Sequence, residues 1–352
     1  MKFLWILLLS LILGCNSSKY NEIRGKDGFW RIAKDRNNTW WLLSPNDNEL
    51  FYLGITSVRY VQYGIKPPDY NSKDYNGDLD AWAETTSKKV LRYGFNGAGA
   101  WSEKSIHKYL PYTTVLNLSL NTTRHISDPL WERDIEKSIA EQVKPNDINL
   151  IGYFTDNELD WSVLGPWANK YFEVTSRLIK KYDSNHLILG VRFNKKPSDA
   201  VLMASKARID IHSFNCYTDS GILQLDVFQK TYKITGVPIM ISEFSFFSNE
   251  NDSANPNHFT SDKSQLFGGL VKSQQERADA FHKFVTDCAR CKIVLGTEWF
   301  QWNDEPPAGR RNDSESYNFG IVDINDNPYI LLLNAIKKTS IESQNIHKTI
   351  GH

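Results

Sequence analysis

Apolar runs of strand length alternate with amphipathic stretches along most of the chain. Eight runs have the length and the β-branched and aromatic content of buried strands: 51–58, 94–100, 113–118, 150–155, 187–193, 209–215, 238–243 and 293–299. A helix-length amphipathic stretch follows each run: 80–92, 102–108, 130–143, 166–182, 198–207, 221–235, 273–289 and 328–338. This alternation is typical of a parallel α/β fold, and it predicts a (β/α)8 TIM barrel over residues 51–338.

A doubly wound parallel sheet is the main alternative for such a pattern. It is disfavoured because the glycines of 94–100 do not have the spacing of a phosphate-binding loop. Two short apolar runs around a turn at 35–38 predict a β hairpin element over 28–50, at the closed end of the barrel or beside it. Residues 339–352 are polar, and we expect a frayed tail there.

The first fifteen residues have a basic start and a short apolar run, which predict a secretory signal peptide. The run is too short to span a bilayer. Its end, Ile12-Leu13-Gly14-Cys15, is similar to a bacterial lipobox, so we expect Cys15 to be lipidated and residues 16–27 to form a tether. Ordinary signal cleavage is the alternative. The sequence thus predicts an exported, periplasmic or outer-membrane lipoprotein that contacts the membrane only through its lipid anchor.

Composition narrows the range of partners. Lys+Arg and Asp+Glu number 41 each, so the net charge is zero, which argues against nucleic acid or an anionic membrane surface as a partner. The aromatic content of 13% is compatible with sugar binding, although most of the rings should lie in the core. Cys288 and Cys291 have the spacing of half a zinc site without a second half, so we expect no metal and no cofactor. The two cysteines could form a disulfide or stay as two thiols, and the sequence does not distinguish these alternatives.

Two predicted strands end in a carboxylate. The run 148–154 breaks into Thr155-Asp156-Asn157-Glu158, and the run 237–242 is followed by Glu243. All strands of a parallel barrel end at one face, where catalytic groups lie, and glycoside hydrolysis uses a pair of carboxylates. The alternative for each residue is a solvated carboxylate in an ion pair. Three long predicted loops lie on this same face and should form the sides of a cleft: 59–79, 244–272 and 300–327.

The arrangement of Asn157-Glu158 and Glu243 resembles the retaining glycoside hydrolases of the (β/α)8 clan A. Within that group, three segments are most similar to the β-agarases: 152–159, 296–306 and 309–323. The resemblance implies that Glu158 is the acid/base, that Glu243 is the nucleophile and that Asn157 contacts the sugar 2-hydroxyl. A retaining mechanism places the two carboxyl groups about 5–5.5 Å apart.

Further residues at predicted strand ends are candidates for substrate binding. Tyr217 is placed to donate a hydrogen bond to Glu243. Arg192 either orients a carboxylate or binds a sulfate or hydroxyl, with a structural ion pair as the alternative. Trp299 and Trp302 alternate, so at most one faces the barrel mouth, and we favour Trp299 as a sugar platform. Glu298 and Glu315 are rival carboxylates. The remaining candidates for sugar contacts are His125, Trp101, Asp304, Arg310, Glu315 and Asn318.

Together these features predict a retaining hydrolase of β-galactosidic linkages in a red-algal galactan or its oligosaccharides. A β-glucanase, β-mannanase or β-galactosidase of the same clan is the nearest alternative, because one buried hydroxyl contact changes sugar preference. A surface-anchored glycan-binding protein without activity is an alternative of another class.

Overall fold

The computed structural model describes residues 19–60, 75, 77–218, 221–248, 250, 268–306, 309–310 and 315–350. The predicted signal peptide, Cys15 and parts of the three predicted cleft loops lie outside the described residues.

A four-stranded antiparallel sheet precedes the barrel. Its strands pair in chain order, and they are β1 (Tyr20–Arg24), β2 (Arg31–Asp35), β3 (Trp40–Leu43) and β4 (Glu49–Leu50). The predicted hairpin is part of this sheet, but the sheet begins earlier, within the residues predicted as a tether. Trp30, Ile32, Trp40 and Leu42 pack in one buried cluster with residues from the beginnings of the barrel strands. The sheet therefore closes the N-terminal end of the barrel.

Eight parallel strands form a closed barrel, which confirms the predicted fold. They are β5 (Tyr52–Ile55), β6 (Gly97–Ala98), β7 (Tyr112–Val115), β8 (Leu150–Asn157), β9 (Leu187–Phe193), β10 (His212–Asn215), β11 (Ile239–Phe244) and β14 (Val294–Trp299). Each overlaps one of the predicted runs. A small parallel pair, β12 (Phe247–Ser248) and β13 (Leu270–Val271), lies in the connection after β11.

Helices surround the barrel. They are α1 (Leu79–Tyr93), α2 (Trp131–Gln142), α3 (Trp161–Leu164), α4 (Ala168–Tyr182), α5 (Asp199–Ser205), α6 (Leu225–Thr235), α7 (Gln274–Ala289) and α8 (Ile330–Thr349). The stretch predicted at 102–108 is a 3₁₀ helix, Lys104–Lys108. Within the described ranges, no helix has the length and apolarity needed to cross a bilayer.

The expectation of a frayed tail is wrong for residues 339–349, because α8 continues to Thr349. Thr339, Ser343 and His347 are all buried on one side of this helix. The two ring nitrogens of His347 lie 2.8 Å from the carbonyl oxygens of Trp40 and Ala289. The end of the last helix is thus fixed between the N-terminal sheet and α7.

Candidate active site

The two predicted carboxylates lie in one cavity at the C-terminal end of the barrel. Glu158 directly follows β8, and Glu243 is the next-to-last residue of β11. Both line a cavity of about 730 Å³. A space of this size lies within the range of small-ligand sites, roughly 300–1,000 Å³.

Glu243 lies between a cation and a hydroxyl donor. The Arg192 guanidinium approaches its Oε2 to 2.9 Å, and the Tyr217 hydroxyl donates to its Oε1 at 2.6 Å. Removal from water and the nearby charge of Glu243 raise the pKa of Tyr217 well above its usual range, so the phenol stays protonated and able to donate. Both contacts hold the Glu243 carboxylate in one orientation, which a nucleophile needs.

Arg192 is fully buried beneath the cavity. Besides Glu243, it donates to the Asn157 side-chain oxygen at 2.8 Å and to the Ser242 carbonyl at 2.6 Å. It therefore ties β9 to the ends of β8 and β11 and fixes the orientation of Glu243. Of the roles predicted for Arg192, the structure favours orientation of a carboxylate over binding of a sulfate or hydroxyl.

Glu158 has a different environment. Its side chain opens to the cavity, while Asn215 donates to its Oε1 at 2.7 Å. Burial is the main cause that raises the pKa of Glu158, and the negative charge of Glu243 is the second. The backbone of Glu158 has φ 52°, in the left-handed region that costs a non-glycine residue energy. This conformation turns the side chain out of the strand direction at the barrel mouth.

Asn215 is a central residue that the sequence analysis missed. Its amide also lies 3.2 Å from the Asn157 oxygen, and its own oxygen accepts from Ser242 Oγ at 2.9 Å. It is thus held in one rotamer while it contacts Glu158. The sequence does contain a feature that marks Asn215: an asparagine ends the apolar run of β10, just as Asn157 ends that of β8.

Other predicted site residues also reach the cavity. Trp101, Asn157, Tyr217, Arg310 and Glu315 line it, and Arg310 forms an ion pair with Glu315. An aromatic wall that sequence reasoning missed consists of Phe300, Tyr317 and Phe319. Their rings contact one another on the loop after β14.

The predicted sugar platform at Trp299 is wrong. Its ring is completely buried and packs edge-on against Phe244 and Phe281, and its Nε1 donates to the Phe319 carbonyl. Trp302 is also buried, and it stacks on Tyr93 of α1 instead of facing the cavity. Of the predicted tryptophans, Trp101 alone lines the cavity.

Three further predicted contacts lie away from the cavity lining. Asp304 is buried and accepts hydrogen bonds from the Gly320 amide and the Tyr329 hydroxyl. Asn318 is buried and accepts from the Ser248 amide. His125 is exposed and bonds to Ser127 in its own loop. The predicted sugar contacts of Asp304 and Asn318 are therefore wrong, because both side chains are buried and bond to the protein. The sugar contact of His125 stays a prediction.

The rival carboxylate Glu298 lies inside the barrel and not in the cavity lining. It accepts from Thr113 Oγ1 at 2.6 Å and from the Ala100 amide at 3.2 Å. Burial raises the pKa of Glu298 to about 7. Because it is completely buried, it has no access to substrate.

Cys288 and Cys291 are both free thiols. In the part of the chain that the structure describes, no group of three His, Cys, Asp or Glu residues is arranged to hold a metal ion.

Replacing Tyr217 by phenylalanine should lower kcat by roughly 10- to 100-fold, because a hydrogen bond to a charged group is lost. KM and the melting temperature should change little, since the ring keeps its packing against Phe319. Steady-state kinetics and thermal unfolding measure both. An unchanged kcat would show that the Tyr217 hydroxyl does not support Glu243.

Comparisons with known proteins extend this picture. β-Agarase A of Vibrio sp. (strain JT0107) is 22% identical in an alignment 470 residues long, which covers 88% of this chain and 45% of the agarase. The chain is similar to β-agarases. β-Agarase B of the same organism is 34% identical over 181 residues, which cover 48% of this chain and 16% of that protein. No protein-family model matches the chain.

A solved structure shares the fold. The crystal structure of an agarase, AgWH50C, superposes with a TM-score of 0.72 at 21% identity, covering 94% of this chain and 66% of that one. The similarity to β-agarases inferred from the three sequence segments is therefore confirmed. The chain spans less than half the length of the curated agarases it matches.

Proposed function

We propose that this protein is a retaining glycoside hydrolase that cleaves β-galactosidic linkages in a red-algal galactan such as agarose, or in oligosaccharides derived from it. The observation that carries the proposal is the pair of carboxylates in one cavity, which have different partners. Glu243 is held by a cation and a hydroxyl donor, whereas burial and the charge of Glu243 raise the pKa of Glu158. An oriented carboxylate beside a second one with a raised pKa is the arrangement expected of a nucleophile and a general acid.

In the proposed first step, Glu243 attacks the anomeric carbon and forms an ester with the sugar. Glu158 gives its proton to the glycosidic oxygen, so that the bond to the leaving sugar breaks and that sugar departs as an alcohol. In the second step, ionised Glu158 takes a proton from water, and the resulting hydroxide attacks the anomeric carbon. Glu243 is released as a carboxylate, and the two inversions give net retention.

The choice of galactan rests on the similarity to proteins named β-agarases. The lining supports a sugar ligand of some kind, because Trp101, Phe300 and Tyr317 provide apolar surface beside polar groups.

A substrate panel tests the proposal. Purified protein is incubated with agarose, porphyran, laminarin, mannan and aryl β-glycosides, and products are followed by mass spectrometry and by NMR of the newly formed anomeric proton. We expect galactan oligosaccharides with a β-configured new reducing end. An α-configured product would overturn the retaining mechanism, and cleavage of laminarin or mannan alone would overturn the substrate. Binding without turnover of any glycan would identify a glycan-binding protein.

We also propose that the protein is exported and anchored through a lipidated Cys15. Expressed with its own leader in a bacterium fed radiolabelled palmitate, the chain should incorporate label and sediment with membranes. Cys15→Ala should remove both properties. Labelling that persists in this variant would contradict the assignment.

A further inference from the structure

One side of the cavity carries positive charge that the proposed chemistry does not use. Asn194, Lys195 and Lys196 directly follow β9, and all three line the cavity. The three side chains are exposed to solvent. Within the described ranges neither lysine forms an ion pair. The pKa of the exposed Asp160 is lowered mainly by hydrogen bonds from Ser162 and, to a smaller extent, by the nearby charge of Lys195.

The other charged residues of the lining have charged or polar partners. Glu243 is paired with Arg192, and Arg310 is paired with Glu305 and Glu315. The guanidinium of Arg59 donates to the Trp101 carbonyl. Lys195 and Lys196 therefore differ from the rest of the lining, because no ion pair among the described residues includes either ammonium group.

The position of these lysines indicates which part of a substrate they would meet. Asn194, which directly precedes the two lysines, lies within hydrogen-bonding reach of the Glu158 carboxyl, so this segment borders the general acid. A general acid stands beside the glycosidic oxygen and the leaving sugar.

We propose that Lys195 and Lys196 bind an anionic substituent, a sulfate ester or a carboxylate, on the leaving-group sugar. This inference rests on the proposed function and specifies its substrate class as a charged galactan. Two exposed ammonium groups form separate, weakly directional contacts with oxyanions, which suits a substituent that rotates about an exocyclic bond.

Matched oligosaccharides test the inference. Wild-type protein is assayed on a neutral β-galactan oligosaccharide, on its sulfated counterpart and on one that carries a uronic acid in the leaving-group position. We expect kcat/KM to be roughly three- to tenfold higher for one charged substrate than for the neutral one, which is the scale of two solvent-exposed ion pairs. The two charged arms distinguish sulfate from carboxylate. The preference should fall as salt is raised towards 1 M, because exposed ion pairs are screened.

The double variant Lys195→Gln/Lys196→Gln should lose this preference through an increased KM for the charged substrate. Lys137→Gln, which removes an exposed lysine of α2 far from the cavity lining, is the control for net charge and should keep the preference. Equal loss on neutral and charged substrates would overturn the inference, as would a wild-type preference for neutral sugar. Failure to cleave any of the three would instead overturn the proposed function.

Discussion

Replacing Glu243 by glutamine should lower kcat on a galactan oligosaccharide by at least about 10⁴-fold, because an amide cannot form the covalent sugar ester. The side chain keeps its shape, so the Tyr217 hydroxyl still has an oxygen to which it can donate. Arg192, however, loses the anion that balances its buried charge, and we expect a modest decrease in melting temperature as well. Single-turnover kinetics with product quantification measure the loss.

Glu315→Gln is the matched comparison for this variant. Glu315 is a carboxylate of the same cavity, but its partner is Arg310 and not the Arg192 that holds Glu243. We expect less than about a tenfold change in kcat for it, since it takes no part in bond formation. If Glu315→Gln inactivated the protein while Glu243→Gln left it active, the assignment of the nucleophile would be wrong.

Replacing Glu158 by glutamine should lower kcat on the same oligosaccharide by roughly 10²- to 10⁴-fold, the usual contribution of a general acid. In kcat/KM, which reports the first step, the loss should be much smaller for an aryl β-glycoside with a phenol leaving group of low pKa, because departure of that group needs little protonation. The kcat of this substrate should still fall, since the second step needs Glu158 as a base. A uniform loss of kcat/KM on both substrates would contradict the role of Glu158 as acid.

The pH profile gives a second check on Glu158. The acid acts only while protonated, and its raised pKa should shift the alkaline limb of kcat/KM to higher pH than an ordinary glutamic acid would give. The Glu158→Gln variant has no proton to lose there, so that limb should disappear from its profile. An alkaline limb that stays in place in the variant would assign it to another group, for example the buried Glu298 with its pKa of about 7.

The barrel and its two carboxylates were accessible from sequence because both depend on short-range patterns. A strand buried on both faces is mostly apolar along its length, so a carboxylate directly after an apolar run marks the place where the strand leaves the barrel. Glu158 and Glu243 stand at such transitions, and so does Asn215. Asn215 was missed only because amides received less weight than carboxylates.

Trp299 shows where such patterns fail. A tryptophan at the end of a strand can face the barrel mouth or the layer of helices, and alternation alone does not give the direction. In the structure its ring fills space beside Phe281 of α7, while the loop after β14 supplies the aromatic surface of the cavity. Loop aromatics such as Tyr317 and Phe319 have no periodicity that would have shown their direction in advance.

The second half of α8 was missed for a related reason. Its buried positions are Thr339, Ser343 and His347, which are polar and therefore gave no apolar stripe. They repeat every four residues, as one face of a helix does. Thr339 contacts a ring nitrogen of His282, Ser343 donates to the Ser340 carbonyl within the helix, and His347 contacts the distant carbonyls of Trp40 and Ala289. A local pattern cannot show the distant partners.

The contact between His347 and the Trp40 carbonyl joins residues that are 307 positions apart in the chain. During synthesis from the N-terminus, the small sheet that covers the barrel therefore emerges long before the helix end that fastens it. Such a contact carries a large loop-closure cost until the intervening chain has folded. We expect arrested nascent chains that lack residues 339–349 to be cut by protease within the first fifty residues, and full-length chains to resist. The two ends of this polypeptide would then acquire their structure together, as the last event of folding.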